Sequence, residues 1–259
     1  MVKDKKPKYL KSNKGKGELL KNLLVYCFVT SLMIGNLGFA QKNKPFLKEN
    51  FSKVLTKEIS IRYILHLPDK YDSLHGHLPL VLYLHGGLGR GNDFKKLYWY
   101  PVPKMILENK FSDSFIVLIP QCPEGKYWPE FTDELLTMIN EVIGKYNIDT
   151  TRIYGMGYSM GGNGIVEFAF RNPRIFTAIA AMSGYYFNLW VSRIKDIPMW
   201  FFHGAKDSTI EVKEADDIVE EYKKFGIDVK YTRDPEGEHR PPTEEQHLEV
   251  LNWFLTHSK

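Results

Sequence analysis

The sequence predicts an α/β fold in which helices cover both faces of a mostly parallel sheet. Three apolar runs have the length of buried strands, namely Leu80–Leu84, Phe115–Ile119 and Pro198–Phe202. Between such runs the apolar residues recur with helical spacing, as they do in Asp133–Tyr146. Because strands that alternate with helices are joined as parallel neighbours, this order indicates one sheet packed between two layers of helices.

The remaining elements follow from the same patterns. Ile59–Leu67 alternates enough to be a half-buried strand, and Pro68 ends it. Arg152–Met156 is strand-like and is followed, after a short turn, by a helix-like run from Ile165. The later elements are a strand at Ala178–Met182, a helix with Ile218, Val219, Tyr222 and Phe225 on one face and Gly226 as its C-cap, a strand at Val229–Thr232, and a final helix carrying Leu248, Leu251, Trp253 and Phe254.

The first forty residues differ in character from the rest. Lysines crowd Lys3–Lys21, and Leu23–Ala40 is apolar and uncharged, with small residues at its end. This pattern predicts a signal peptide over residues 1–40, cleaved before Gln41, which N-terminal sequencing of the exported protein would establish. The alternative is a retained N-terminal membrane anchor, because the apolar run is close to the lower length limit for spanning. We therefore expect a single domain over residues 41–259, either secreted or held in the periplasm or cell envelope.

The charge of the chain gives no indication of a nucleic-acid partner. The whole chain has 35 basic and 31 acidic residues, but the leader holds eight of the lysines and two of the acids. The remainder is thus 27 − 29, or −2. The basic character belongs to the leader, and we expect contact with a membrane only if that leader is retained.

Metal, cofactor and disulfide chemistry are not predicted. The histidines and acids lack a ligand spacing such as H-E-x-x-H, so we expect neither metal nor cofactor. Only Cys122 remains after cleavage, which excludes an intramolecular disulfide. No histidine stands in a matching motif beside Cys122, so a packed thiol is the expected role.

Gly157-Tyr158-Ser159-Met160-Gly161 is the motif that carries chemistry. A serine on a sharp strand-to-helix turn has crowded backbone angles, and glycines two residues away on either side leave room for it. The turn exposes the hydroxyl and points the N–H of Met160 at any oxyanion formed there. The pattern alone also fits an ordinary surface turn. The assignment of Ser159 as a nucleophile therefore depends on the other motifs in the chain.

An acid and a histidine follow this serine, each just past a strand-like run. Asp207 closes the segment after Pro198–Phe202, and His239 closes the segment after Val229–Thr232. A histidine can take the serine proton, and a carboxylate can hold that histidine in the correct tautomer. The order Ser159, Asp207, His239 is the one expected of an α/β-hydrolase.

Other residues compete for two of these roles. Asp234 ends the next strand and is the rival acid, although the position of Asp207 after H-G-x-x favours Asp207. The rival bases, His247 and His257, belong to the terminal helix region, where we expect both to be exposed. Two further histidines, His85 and His203, end strands beside glycine, where bracing a loop is the expected role.

The chain resembles the single-domain esterases of the α/β-hydrolase superfamily, in the phospholipase/carboxylesterase and dienelactone-hydrolase-like group. The segments LVLYLHGGLGRGND, RIYGMGYSMGGNG, PMWFFHGAKD and EGEH carry the likeness, which runs from about Ile59 to about Phe254. It implies that Ser159 is the nucleophile, Asp207 the orienting acid and His239 the general base. It also implies that the N–H groups of Gly87 and Met160 form the oxyanion hole.

The chain departs from that group at one point, and we do not expect two additions that occur elsewhere in the superfamily. His239 is followed by Arg-Pro-Pro, where many relatives place a small polar residue and an aromatic one. Large lipases insert a lid near the segment between Ala178 and Pro198, which is short here, so we expect no large lid. We also expect no β-propeller like that of oligopeptide-cleaving relatives.

These features together predict a cofactor-free serine esterase that works through an acyl-enzyme intermediate. Loop aromatics at the expected catalytic edge favour a carbohydrate-linked ester, acetyl or feruloyl, carried on a small molecule or an oligosaccharide. The expected substrate contacts are Trp128, Tyr185 and Trp190, and Trp99, Tyr100 and Tyr186 belong to the same set. The alternatives are a prolyl-oligopeptidase-like peptidase acting on short peptides and a non-catalytic binding protein on a hydrolase scaffold.

Overall fold

A computed structural model describes residues 52–53, 58, 60–69, 71, 76–111, 114–227 and 229–259. The chain divides into two units, Met1–Thr56 and Lys57–Lys259, and every element given below belongs to the second. The predicted signal peptide and its cleavage before Gln41 lie outside the described residues and stay predictions. Within the described ranges, no helix is both long enough and apolar enough to cross a bilayer.

Seven strands of the described chain form one sheet in the order β1-β3-β2-β4-β5-β6-β7. They are β1 (Tyr63–His66), β2 (Leu78–Leu84), β3 (Ile116–Pro120), β4 (Ile148–Tyr158), β5 (Ala178–Met182), β6 (Met199–Gly204) and β7 (Lys230–Asp234). Strand β1 pairs antiparallel with β3, and all other neighbours in the sheet are parallel. This arrangement confirms the predicted mostly parallel sheet.

Five α-helices of the described chain cover that sheet. They are α1 (Pro101–Leu107), α2 (Thr132–Lys145), α3 (Met160–Arg171), α4 (Lys213–Lys224) and α5 (Glu244–Phe254), with 3-10 turns at Gly87–Gly89, Phe94–Trp99, Trp128–Phe131 and Asn188–Arg193. Gly226 has a φ of +71° just past α4, as expected of a glycine C-cap. A capping box between Thr243 and Gln246 begins α5.

The two faces of the sheet bury two separate hydrophobic cores. Leu80, Leu82 and Leu84 of β2 pack on the side of α2, α3 and α4. Val81 and Tyr83 of the same strand point to the opposite side, where α1 and α5 pack. Alternate residues of one strand thus serve both cores, which explains why the central strands read as unbroken apolar runs.

The structure differs from the sequence reading in three elements. Strand β1 is confined to Tyr63–His66, at the edge of the sheet. Strand β4 runs on to Tyr158, so it ends directly at the serine. Helix α1 was not predicted; its two prolines, Pro101 and Pro103, lie in its first turn, where a missing N–H costs no intrahelical hydrogen bond.

Candidate active site

The sheet topology brings the predicted site residues to one edge. Gly87 follows β2, Ser159 follows β4, Asp207 follows β6, and His239 follows β7. Since these strands are parallel, their carboxyl ends meet at the same edge, where open α/β sheets bind their ligands. Four segments that are distant in sequence are therefore neighbours in space.

Ser159 occupies a strained turn between β4 and α3. Its φ is +53° and its ψ is −119°, a conformation that residues with a side chain rarely adopt. Its N–H donates to the carbonyl oxygen of Met182 at 2.8 Å, which holds the turn against β5. A Cβ at Gly157 would overlap the carbonyl group of Gly161, and a Cβ at Gly161 would overlap the carbonyl group of Leu84. The sequence expectation that small residues must flank this serine is confirmed.

The crowding predicts that Gly161→Ala will lower the free energy of unfolding by about 3 kcal/mol or more, at the upper end of overpacking effects. The clash is with backbone, which cannot rotate away as a side chain can. Urea unfolding of the variant and the wild type measures the change. The matched control is Gly144→Ala in α2, because a Cβ at Gly144 meets nothing within 4 Å. That change should be neutral or stabilising by up to about 1 kcal/mol, and equal midpoints for Gly161→Ala and wild type would contradict the expectation.

Ser159, His239 and Asp207 form a connected hydrogen-bond chain. Ser159 Oγ lies 2.9 Å from His239 Nε2, and His239 Nδ1 lies 2.7 Å from Asp207 Oδ2. The carboxylate can only accept, so Nδ1 carries the proton and Nε2 is left to accept from the serine hydroxyl. The structure brings together the three residues predicted as the triad, in the order needed for nucleophilic attack.

Asp207 is held as a buried carboxylate. Its side chain has no exposed surface, and its Oδ1 accepts from the N–H groups of Thr209 at 2.8 Å and Ile210 at 2.9 Å. Burial raises the pKa of Asp207, but the hydrogen bonds from Ile210, His239 and Thr209 outweigh it, so the pKa lies below its ordinary value. His203 Nε2 donates to the carbonyl oxygen of Ile210 at 2.9 Å and thereby braces the turn that holds the carboxylate.

The rival residues have other partners. Asp234 accepts from the backbone N–H of Glu236 at 3.1 Å and pairs with Arg240 at 3.4 Å. His247 is fully buried, its Nδ1 donates to the carbonyl oxygen of Thr243 at 2.8 Å, and burial lowers its pKa to about 4. The expectation that His247 is exposed is therefore wrong. His257 Nδ1 donates to the carbonyl oxygen of Trp253 at 2.9 Å.

The rate constant kcat/KM should fall when the medium is made acidic, because a protonated His239 cannot accept the serine proton. The hydrogen bonds to Asp207 hold its pKa below the ordinary value of an aspartate, so Asp207 stays charged near neutral pH. Burial lowers the pKa values of His85 and His247 to about 4, so both stay neutral near neutral pH. A pH–rate profile with a neutral ester measures the fall in kcat/KM. A His239→Ala variant that kept wild-type activity and showed the same fall would contradict the assignment of His239.

The glycine-rich loop after β2 is braced from several sides. His85 Nδ1 donates to the carbonyl oxygen of Gly86 at 2.7 Å, and its Nε2 accepts from the N–H of Cys122 at 3.0 Å. Burial lowers the pKa of His85 to about 4, so this neutral tautomer persists. Gln121 Nε2 donates to the carbonyl oxygen of Gly89 at 2.9 Å. Gly87 lines the same cleft as Ser159, and the loop is fixed without the help of a ligand.

Met160, the other predicted oxyanion donor, begins α3. The first four N–H groups of a helix have no acceptor within it, which leaves the amide of Met160 available to a ligand. Its role beside Gly87 stays a prediction.

The chain has neither a reactive thiol nor a metal-ligand cluster in its described part. Cys122 is buried, and burial raises the pKa of its thiol to about 12, as fits a packed residue. Among the described residues, no three His, Cys, Asp or Glu side chains group as metal ligands would.

Comparison with known families agrees with the geometry. Residues 52–225 match the Esterase family model, a stretch that includes Ser159 and Asp207 and ends before His239. The chain belongs to the Esterase family. None of the curated proteins matches this chain in sequence.

Solved structures similar to this chain have the α/β-hydrolase fold. A thermostable esterase is 27% identical over 78% of this chain and 60% of its own, with a TM-score of 0.62, so this chain spans less than two thirds of the length of that esterase. Esterase PE8 is 15% identical over 76% of this chain and 100% of its own, with a TM-score of 0.59. An acylaminoacyl peptidase of Pyrococcus horikoshii is 15% identical over 78% of this chain and 39% of its own, with a TM-score of 0.58. The predicted α/β-hydrolase fold is confirmed.

A cleft of about 770 Å³ opens beside Ser159 and His239. Leu88 and Trp99 form its rim and are 90% and 87% exposed, while the ring of Tyr158 packs 5.4 Å from the ring of His239. Only residues 183–198, with one 3-10 turn, join β5 to β6, in agreement with the predicted lack of a large lid. The hydroxyl of Ser159 is therefore directly accessible from the cleft.

The three aromatic residues predicted to contact substrate do not line this cleft. The prediction for Trp128 is wrong, because the residue is fully buried and its indole N–H donates to the carbonyl oxygen of His85 at 3.0 Å. Tyr185 and Trp190 are exposed but lie on the segment after β5, where the ring of Trp190 packs 5.9 Å from that of Phe170. The aromatic residues of the cleft are instead Trp99, Tyr100 and Tyr158.

Proposed function

We propose that this esterase hydrolyses carboxylic esters through an acyl-enzyme intermediate formed on Ser159. The observation that carries the proposal is the hydrogen-bond chain from Ser159 through His239 to the buried Asp207, set on a strained turn. Strain at a turn is retained only where the surrounding structure enforces it, and here it lifts one hydroxyl into a cleft.

The reaction follows from the atoms in contact. His239 Nε2 takes the hydroxyl proton of Ser159 as Oγ attacks the ester carbonyl, and the N–H groups of Gly87 and Met160 donate to the oxyanion. The protonated histidine then gives its proton to the departing alcohol, leaving an acyl-serine. A water molecule, deprotonated by His239, attacks that acyl group, and the carboxylic acid leaves as the proton returns to Oγ.

A carbohydrate-linked ester, acetyl or feruloyl, is the substrate class that we propose. Trp99 supports this choice, because its indole is 87% exposed at the rim of the cleft, where it can stack on a sugar or aryl ring. The predicted export of the chain points the same way, since polysaccharides are met outside the cytoplasm.

Assays with three classes of substrate, together with active-site labelling, test this proposal. The purified protein would be assayed with p-nitrophenyl esters, with acetylated and feruloylated sugars, and with peptide anilides. We expect a burst of p-nitrophenol equal to the enzyme concentration, and turnover of sugar esters that Trp99→Ala weakens through KM. Faster cleavage of peptide anilides would favour a peptidase, and failure of a fluorophosphonate probe to react would favour a binding protein.

A further inference from the structure

The charged side chains of the active-site cleft are all cationic. Arg90, Lys96 and Arg240 line it together with Ser159, and no carboxylate of the described residues does. This contrasts with residues 41–259 as a whole, whose net charge is 27 − 29, or −2. The positive charge is therefore concentrated at the place where substrate enters.

Two of these three cations already have a carboxylate partner, and the third has none among the described residues. Lys96 lies 3.4 Å from Glu124, and Arg240 lies 3.4 Å from Asp234, in pairs that are largely exposed. Within the described part of the chain, Arg90 has no carboxylate partner. Arg90 thus brings to the cleft a positive charge that no carboxylate of the described residues neutralises.

The guanidinium of Arg90 is held in a fixed position. Its Nε donates to the carbonyl oxygen of Gly87 at 3.0 Å, and its Cζ lies 4.9 Å from the centre of the Tyr127 ring. An Nη2 atom stands 3.1 Å from the point that a Cβ on Gly87 would occupy. Because Nε–H is only one of five donors, the terminal nitrogens remain available to a ligand beside the predicted oxyanion hole.

We propose that Arg90 forms an anion subsite in this cleft, with Lys96 and Arg240 adding to its field, and that the esterase selects esters bearing a carboxylate close to the scissile bond. This inference rests on the proposed function and narrows its substrate class to sugar esters that carry a carboxylate. A carboxylate can receive two parallel N–H bonds from a guanidinium already fixed in place, so little conformational entropy is lost on binding. The same field draws anionic substrates toward the cleft, an effect that salt weakens.

Two pairs of matched esters test the subsite on either side of the ester bond. Mono-p-nitrophenyl succinate and p-nitrophenyl butyrate differ in the acyl part, where a carboxylate replaces a methyl group. 4-Acetoxybenzoate and 4-acetoxybenzamide differ in the alcohol part. The quantity measured is the ratio of kcat/KM for the anionic ester to that for its neutral partner, in wild type and variants.

Arg90→Gln should lower that ratio about tenfold for at least one pair, which is the lower range for a hydrogen bond to a charged group. Arg90→Lys should retain most of the ratio, and Arg240→Gln should lower it about twofold to threefold, since Arg240 is more exposed and already paired. The matched control is Lys95→Gln. Lys95 is an exposed cation directly before Lys96 that does not line the cleft, so the ratio for this variant should equal that of wild type. Added salt should lower the ratio in wild type more than in Arg90→Gln.

An equal loss for both members of each pair in Arg90→Gln would overturn the subsite and leave Arg90 as a residue that only positions Gly87. A wild-type ratio for both ester pairs in Arg90→Gln would also overturn it, as would an equal fall in Lys95→Gln. In these cases a fluorophosphonate would still label Ser159, so the esterase proposal would stand. Failure of the label itself would reject the proposed function, independently of the ester ratios.

Discussion

Replacing Ser159 with alanine should lower kcat for p-nitrophenyl butyrate by roughly 10⁴-fold to 10⁶-fold. The variant keeps the cleft and the backbone donors, but it lacks the oxygen that attacks the carbonyl carbon. The residual activity would come from binding of the substrate and from stabilisation of the oxyanion. Steady-state kinetics and the loss of the p-nitrophenol burst measure the effect, and a fluorophosphonate should label the wild type at residue 159 and leave the variant unlabelled.

Ser183→Ala is the matched control for this change. Ser183 also has a positive φ, +46°, and it follows β5 at the same edge of the sheet. It is almost fully buried, however, and does not line the cleft. We expect its variant to retain activity within about tenfold of wild type. Turnover by Ser159→Ala at the wild-type rate, or labelling at another serine, would end the serine-hydrolase interpretation.

The sequence was sufficient for the parts of the site that depend on local geometry. The glycines at 157 and 161 could be read as a steric requirement because the turn they flank is only a few residues long. Asp207 and His239 could be placed because each follows a strand, and the carboxyl ends of parallel strands share an edge. The first inference needed only the local turn, and the second needed only the order and direction of the strands.

Packing between distant segments could not be read in the same way. Trp128 was expected near the substrate, but it packs against Gly164 of α3, a contact that no local pattern reveals. The cationic lining depends on the loop after β2, which Gln121 fixes by donating to the carbonyl oxygens of Gly89 and Asp93. One signal was available and overlooked: His247 lies three, four and seven residues before Val250, Leu251 and Phe254, on the buried face of α5.

Asp207→Asn should lower kcat/KM by about 10³-fold to 10⁴-fold, the range expected when a triad histidine is held in the wrong tautomer. The amide oxygen can still accept from the N–H groups of Thr209 and Ile210, as Oδ1 does now. That leaves the amide NH₂ facing His239 Nδ1, which must then accept and place its proton on Nε2. A protonated Nε2 would donate to Ser159 Oγ and could not take its proton, so catalysis fails while the fold remains.

Asp234→Asn separates this effect from the general loss of a negative charge near the catalytic loop. Asp234 is partly exposed, pairs with Arg240, and has no hydrogen bond to His239 among those of the described residues. Its variant should lose no more than about fivefold in kcat/KM, because an exposed pair of this kind contributes about 1 kcal/mol or less. Unfolding curves for both variants would show that the proteins are folded. A larger loss in Asp234→Asn than in Asp207→Asn would transfer the orienting role to Asp234, in spite of the 2.7 Å contact between Asp207 and His239.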